Sequence, residues 1–187
     1  MRRPFFVSCV MNNEFTKNHF ELFGLPLEFT IEAARLENAY RELQSQVHPD
    51  RFAAATDAEK RVSMQWATRA NEAYQTLKRP LSRARYLLSL RGVDTQEETN
   101  TAMPADFLIM QMEWREAVAE ARARRDAGVL ERLSNELRSA EKTLLNGLEK
   151  DLDGNADLPA AALAVRKLRF VEKLGEEIAD AHEATEN

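Results

Sequence analysis

An all-α fold is predicted for this chain of 187 residues, and three features of the sequence predict it. Only six glycines are present, and long stretches are rich in Ala, Leu, Glu, Arg and Lys, the residues that lose least on entering a helix. Apolar residues recur at three- and four-residue steps through segment after segment, the period of an amphipathic helix. At 44% hydrophobic and 30% charged, the chain carries enough apolar surface to fold around a core.

Asn18 to Phe23 reads as a short helix stopped by Gly24 and Pro26, and Phe20, Leu22, Phe23 and Leu25 can cover an apolar groove beside it. From Thr30, a suitable N-cap, to Val47, a longer helix carries Leu36, Ala39, Tyr40, Leu43 and Val47 on one face. Pro49 ends it, because the residue before a proline is pushed out of the α region. After a polar loop from Asp50 to Thr56, a second long helix runs from an Asp57 N-cap to Lys78 with Met64, Ala67, Ala70, Tyr74 and Leu77 along its face. These two helices pack as an antiparallel hairpin. Pro80 then opens a short helix to Leu90, closed by Gly92.

The polar stretch 93–103 is the expected linker. Beyond it Pro104 starts a helix to about Arg125, and Val129 to Glu149 forms the next, with Leu130, Leu133, Leu137, Ala140, Leu144 and Leu148 in near-heptad order. Leu158 to about His182 forms the last, after a break at Asp153, Gly154 and Asn155. Three antiparallel helices make a small bundle. The organisation is therefore an extension over 1–17, disordered or wrongly annotated with Met11 as a candidate start, a hairpin unit over 18–92, the linker 93–103 and a three-helix domain over 104–187.

Composition excludes several function classes. The net charge of -5 is spread as both signs without a basic stripe, so no nucleic-acid partner is expected. Arg2 and Arg3 precede Phe5, Phe6 and Val7, but that apolar run is too short for a signal peptide, and no membrane-spanning run occurs elsewhere. A single cysteine, Cys9, makes neither an internal disulfide nor a zinc-binding pair, so a cytoplasmic protein with no cofactor and no metal is expected. With three histidines, no Gly-rich phosphate loop and no nucleophile elbow, a hydrolase or metal enzyme built on His48 and Asp50 is disfavoured, and no catalysis is expected.

His48, Pro49 and Asp50 fall at the hairpin tip, where a rigid proline presents an imidazole and a carboxylate in a fixed arrangement. A bare tripeptide of this kind is equally a helix terminator with two polar loop residues, so its surroundings decide. Asn38-Ala39-Tyr40-Arg41-Glu42-Leu43 precedes it, and Ala70-Asn71-Glu72-Ala73-Tyr74-Gln75-Thr76-Leu77 lies at the far end of the hairpin. This arrangement resembles a J domain, the module that docks on a DnaK-class chaperone and triggers its ATP hydrolysis. The resemblance implies that His48, Pro49 and Asp50 form the stimulatory contact and Arg41 an ancillary charge contact. Glu37, Glu42, Gln44 and Gln46 dilute the basic surface of general J domains, which points to a dedicated chaperone with a less acidic docking face.

Three further segments narrow the likeness: Asn18-His19-Phe20-Glu21-Leu22-Phe23-Gly24-Leu25-Pro26, Arg79-Pro80-Leu81-Ser82-Arg83-Ala84-Arg85-Tyr86-Leu87-Leu88-Ser89-Leu90, and Val165-Arg166-Lys167-Leu168-Arg169-Phe170. Together they look like the HscB family, co-chaperones of iron–sulfur assembly, from Asn18 to the last helix. The resemblance implies stimulation of a dedicated HscA-like chaperone and delivery of the scaffold protein IscU to it. Some eukaryotic relatives add a cysteine-rich zinc module at the N-terminus, for which Cys9 alone does not suffice.

The helix beginning at Pro104 carries a second signal. Placing residues about 100° apart puts Phe107, Met110, Trp114, Ala117, Val118 and Ala121 in a core stripe and Leu108, Ile109, Met112, Glu113 and Glu116 on the opposite side. A bundle needs only the first stripe, and a grouped apolar cluster rimmed by carboxylates marks a docking site. The alternative is that Leu108 and Met112 pack against the hairpin unit. The family resemblance implies that these positions, with Phe170 on the last helix, contact IscU. A general J-domain co-chaperone for unfolded clients is the remaining alternative, but no Gly/Phe-rich linker or cysteine-rich client module follows the hairpin. Trp66 and Trp114 are read as core aromatics, His19 and His182 as surface or helix-end histidines, and Arg122, Arg124 and Arg125 as a solvated helix end.

Overall fold

The computed structural model describes residues 16–52, 55–97 and 102–186, and every regular element among them is helical. The expected extension as far as residue 15, with Cys9 and Met11, and residues 98–101 of the expected linker lie outside the described residues. The chain divides into two compact units, Met1–Tyr86 and Leu87–Asn187.

In the first unit the elements are α1 (His19–Leu22), α2 (Ala33–Val47), a 3₁₀ turn (Pro49–Phe52), α3 (Asp57–Lys78) and α4 (Pro80–Leu90) as far as Tyr86. One turn of helix has no stability of its own, and α1 is held by a reciprocal cap. Asn18 Oδ1 accepts from Glu21 N at 2.9 Å and Glu21 Oε2 accepts from Asn18 N at 2.9 Å. The cap turns Phe20 inward, where it is buried with Phe23, Leu25 and Phe29. His19 stands at a helix end, one of the two places expected for it, but its ring is half-buried and stacks on Tyr86 at 4.2 Å.

Thr30 does not cap α2. The helix starts at Ala33 after an extended Glu32 that makes no side-chain capping bond. Phe29 is buried, with the Arg83 guanidinium 5.1 Å from its ring centre, and seating it keeps the chain extended until the core is cleared. The cap of α3 is Thr56 rather than Asp57: its Oγ1 accepts from Glu59 N at 3.3 Å while Glu59 Oε2 accepts from Thr56 N at 2.9 Å.

Val47 meets Ser63 near the corner and Tyr40 stacks on Tyr74 at 4.2 Å further along, so α2 and α3 run antiparallel. The buried face of α3 is Ser63, Trp66, Ala70, Ala73 and Leu77. This stripe is turned by about one residue from the expected one, and Met64 is 61% exposed. Ala70 and Ala73 have no side chain beyond Cβ, which lets neighbouring helices approach closely at the middle of α3.

In the second unit α5 (Ala105–Arg124), α6 (Ala127–Glu149) and α7 (Leu158–Glu186) each pack on the other two, with a wide turn (Lys150–Gly154) after α6. Phe107, Trp114, Val118 and Ala121 of α5 close on Leu130, Leu133 and Leu137 of α6 and on Val171, Leu174, Ile178 and Ala181 of α7. The α5–α6 turn is sharp because Arg125 adopts φ +52, and Asp126 Oδ1 then accepts from Val129 N at 3.0 Å, starting α6 two residues before the expected Val129. Asp157 does the same for α7, accepting from Ala160 N at 3.0 Å. Residues 91–97 are fastened within this unit: Arg91 Nη1 donates to Leu152 O at 2.8 Å, Arg166 Nη1 to Thr95 O at 3.2 Å, and Arg169 Nη1 lies 3.8 Å from Glu97 Oε2. Among the described residues no helix is long and apolar enough to cross a membrane.

Two groups make stability sensitive to acid. Burial, helped by the Arg69 charge and opposed by Glu72, holds the His19 imidazole below its ordinary value, so the unfolded chain takes up a proton that the folded chain resists. The Thr56 backbone N–H, and then its hydroxyl, hold the Glu59 carboxylate below its ordinary range, and that capping bond is lost as pH falls through the folded value. For both groups stability rises with pH across the window between folded and unfolded values. The thermal midpoint read by circular dichroism should therefore fall as pH drops from about 7.5 to about 5.5, the range in which an ordinary histidine charges. His19→Phe should flatten that part of the profile, and an unchanged slope in this variant would refute the assignment to His19.

Candidate functional site

The corner between α2 and α3 is built from its hydrogen bonds. The last carbonyls of any helix have no partner within it, and at the end of α2 two of them are taken up from outside. Ser63 Oγ donates to Val47 O at 2.6 Å from inside the hairpin, and Arg51 Nη1 folds back to donate to Ser45 O at 3.1 Å. His48 leaves the helix at φ -60 and ψ 130, the extended conformation that a following proline demands. Pro49 opens the 3₁₀ turn, and Arg51 N donates to His48 O at 3.0 Å.

The chemistry presented there follows. Asp50 N donates to His48 Nδ1 at 3.2 Å, so in this arrangement the neutral ring carries its proton on Nε2. Asp50 Oδ2 lies 3.5 Å from the same Nδ1, the carboxylate is 90% exposed and the imidazole about half exposed. The tip therefore offers a donor and an anion to an incoming surface. Arg41 stands on α2 as an exposed cation paired with Glu37 one turn earlier. An exposed pair of this kind contributes little to stability and gives way readily to another partner.

The second constellation lies on α5. Phe107, Trp114, Val118 and Ala121 are buried with Met110 and Ala117 at the margin, the core stripe expected from the sequence. Leu108, Ile109 and Met112 are 42%, 57% and 72% exposed and lie outside the core of their own bundle. Glu113 and Glu116 are exposed beside them.

Phe170 occupies a different place from these. It is half-buried on α7, edge-on to Phe107 at 5.9 Å and parallel to Trp114 at 6.5 Å, so it belongs to the packing of the bundle as well as to its rim. The Arg115 guanidinium stands 5.2 Å from its ring centre and Lys167 Nζ 5.0 Å from that of Phe107. Arg115 follows Leu108 by two helical turns and so shares its line on α5, which brings Phe170 to the edge of the exposed patch. Sequence reasoning missed Arg115, Arg51 and Ser63, and met Lys167 only as part of the 165–170 segment. The heptad step from Leu108 was a signal for Arg115, and the 63, 66, 70, 73, 77 stripe was one for Ser63. Among the described residues no group of three or more His, Cys, Asp or Glu could hold a metal ion.

Comparison with known proteins bears on both units. Residues 103–179 match the family model described as the HSCB C-terminal oligomerisation domain. A co-chaperone protein HscB homolog from Chromobacterium violaceum is 60% identical over 174 residues, covering 93% of this chain and 98% of the relative. The structure of the chaperone HscB from Vibrio cholerae superposes with a TM-score of 0.78 at 36% identity, covering 89% of this chain and 98% of that one. The crystal structure of human co-chaperone protein HscB gives a TM-score of 0.83 at 31% identity, covering 88% of this chain and 81% of that one.

Packing separates the residues of the patch. Phe170→Ala should destabilise the bundle by about 2 kcal/mol, since it removes two aromatic contacts and opens a cavity. Leu108→Ala and Met112→Ala should each change stability by less than about 0.5 kcal/mol, as expected of exposed side chains. Urea unfolding of the three variants checks this, and a loss at Met112 as large as that at Phe170 would contradict the exposure of the patch.

Proposed function

The chain belongs to the HscB family of co-chaperones, and on that premise we propose that it stimulates the ATPase of a dedicated DnaK-class, HscA-like chaperone and delivers an IscU-like iron–sulfur scaffold protein to it. His48, Pro49, Asp50 and Arg41 make the chaperone contact; Leu108, Ile109, Met112, Glu113, Glu116 and Phe170 make the scaffold contact. The observation that carries this reading is that two exposed constellations of opposite chemistry stand on two different units. One is a polar corner fixed by hydrogen bonds, the other an apolar patch on a helix whose core face is already occupied.

Each constellation suits its task. An imidazole donor and an exposed carboxylate recognise a polar surface by direction, and the Arg41 cation adds steering toward an acidic one. Leu108, Ile109 and Met112 bury apolar area on contact, with Glu113 and Glu116 at the rim setting orientation more than affinity. Holding both partners on one molecule raises the effective concentration of the scaffold at the chaperone without any new contact between them. ATP is bound and hydrolysed by the partner, and this chain supplies the trigger. A general co-chaperone for unfolded clients would have no use for a rigid three-helix unit bearing one carboxylate-rimmed patch. The proposed setting is the cytoplasm, where such an assembly works in reducing conditions.

His48→Gln should abolish stimulation of chaperone ATP turnover and leave scaffold affinity, measured by titration calorimetry, at the wild-type value. Replacing Leu108, Met112 and Phe170 by Ala should do the reverse, with about 1 to 2 kcal/mol of binding lost at each true anchor. Because Phe170 also supports the fold, the Leu108→Ala, Met112→Ala double variant is the cleaner measurement. Loss of both activities in folded His48→Gln, or wild-type scaffold affinity in the double variant, would reject this division of labour.

A further inference from the structure

We infer that Ser63 is a positioning residue for the chaperone contact: it holds the carbonyl before His48 and so aims the imidazole and the Asp50 carboxylate. The inference rests on the reading of the corner given above and deepens it. Ser63 is the one fully buried polar residue among the described residues, and it lies on α3, outside the tripeptide and its turn. An apolar residue would fill that place on the buried stripe without needing a hydrogen-bond partner.

The hydrogen bond is the reason for the serine. Val47 O belongs to the peptide group that carries His48 N, so a donor fixed in α3 sets the plane from which His48 departs. Without it the last turn of α2 has a free carbonyl and frays, because ends of helices open at little cost. With it, the corner is tied to the second helix of the hairpin. Pro49 restricts His48 beyond that peptide plane, Arg51 N holds His48 O, and Asp50 N holds His48 Nδ1. The orientation of the imidazole is thus passed from α3 through Ser63, Val47 O and the backbone of His48 to the ring. A free corner would have to be ordered on docking, and that entropy appears in the association step.

Steady-state ATP turnover of the DnaK-class chaperone, titrated with the full chain carrying Ser63→Ala, Ser63→Cys or His48→Gln, tests this. Ser63→Ala should raise the half-saturating concentration about tenfold, equivalent to one buried hydrogen bond, with the maximal stimulation retained. Ser63→Cys, which keeps a weaker donor of similar size, should fall between Ala and wild type. Scaffold affinity should be unchanged in both, and the imidazole ¹⁵N resonances of His48 should shift in Ser63→Ala. Assays run well below each variant's thermal midpoint separate presentation from stability, since a purely structural serine lowers the midpoint and leaves half-saturation and the His48 resonances alone. If Ser63→Ala does not fold, Ser63→Cys carries the comparison. Wild-type half-saturation in the serine variants with an inactive His48→Gln would overturn the inference alone, whereas an active His48→Gln would overturn the corner itself and this inference with it.

Discussion

The first unit depends on one carbonyl. A proline after His48 obliges α2 to stop, and stopping a helix inside a packed hairpin strands carbonyls that water cannot reach. The buried hydroxyl of Ser63 accepts that constraint by donating to Val47 O, and in doing so joins the end of α2 to the second turn of α3. The antiparallel register is consistent with that bond, with Tyr40 stacked on Tyr74 and Ala70 and Ala73 buried along α3. The backbone of the tip and the core of the hairpin therefore share a hydrogen bond. Interior packing and the exposed imidazole are two ends of the same set of hydrogen bonds.

The second unit solves a different problem with α5. A helix with apolar residues around most of its circumference has no net amphipathic direction, and such a helix is usually buried on all sides. Here Phe107, Trp114, Val118 and Ala121 satisfy the bundle, and Leu108, Ile109 and Met112 are left facing outward. Their exposure costs the fold little, because their transfer from water is postponed until another surface covers them. Phe170 links the two faces: parallel to Trp114 and edge-on to Phe107, it packs into the bundle and stands at the rim of the patch. Arg115 and Lys167 cover the aromatic pile with their charges while the carboxylates of Glu113 and Glu116 lie on the outward side of α5.

Helical period and proline positions made the elements legible, since both act within a few residues. The stripe of α5 was readable for the same reason: a long helix averages out boundary errors, and bulky residues mark its faces. Failures occurred where a tertiary contact decided the matter. Thr30 has the chemistry of a cap, but the seating of Phe29 delays α2 to Ala33. Asp57 has it too, yet the reciprocal bond of Thr56 and Glu59, a pattern equally present in the sequence, closes the helix start. The face of α3 was misread because its first buried position is a serine, and periodicity counts a polar residue as exposed. Only its partner, sixteen residues away, shows why it is buried.

The two constellations obey different physics. The polar recognition proposed for the tip is directional, so its strength would lie in holding atoms in place before contact, which is what the hydrogen bonds around His48 are suited to do. Apolar recognition on α5 is nearly indifferent to direction and draws on area removed from water, so its residues need to be exposed and grouped but not individually aimed. A hairpin corner supplies the first because its backbone must be satisfied internally. A helix surface supplies the second because side chains alone cover it. In the proposed function, a directional contact on a corner and an area contact on a helix would let one chain hold two unlike surfaces, with neither contact drawing on the interactions that build the other.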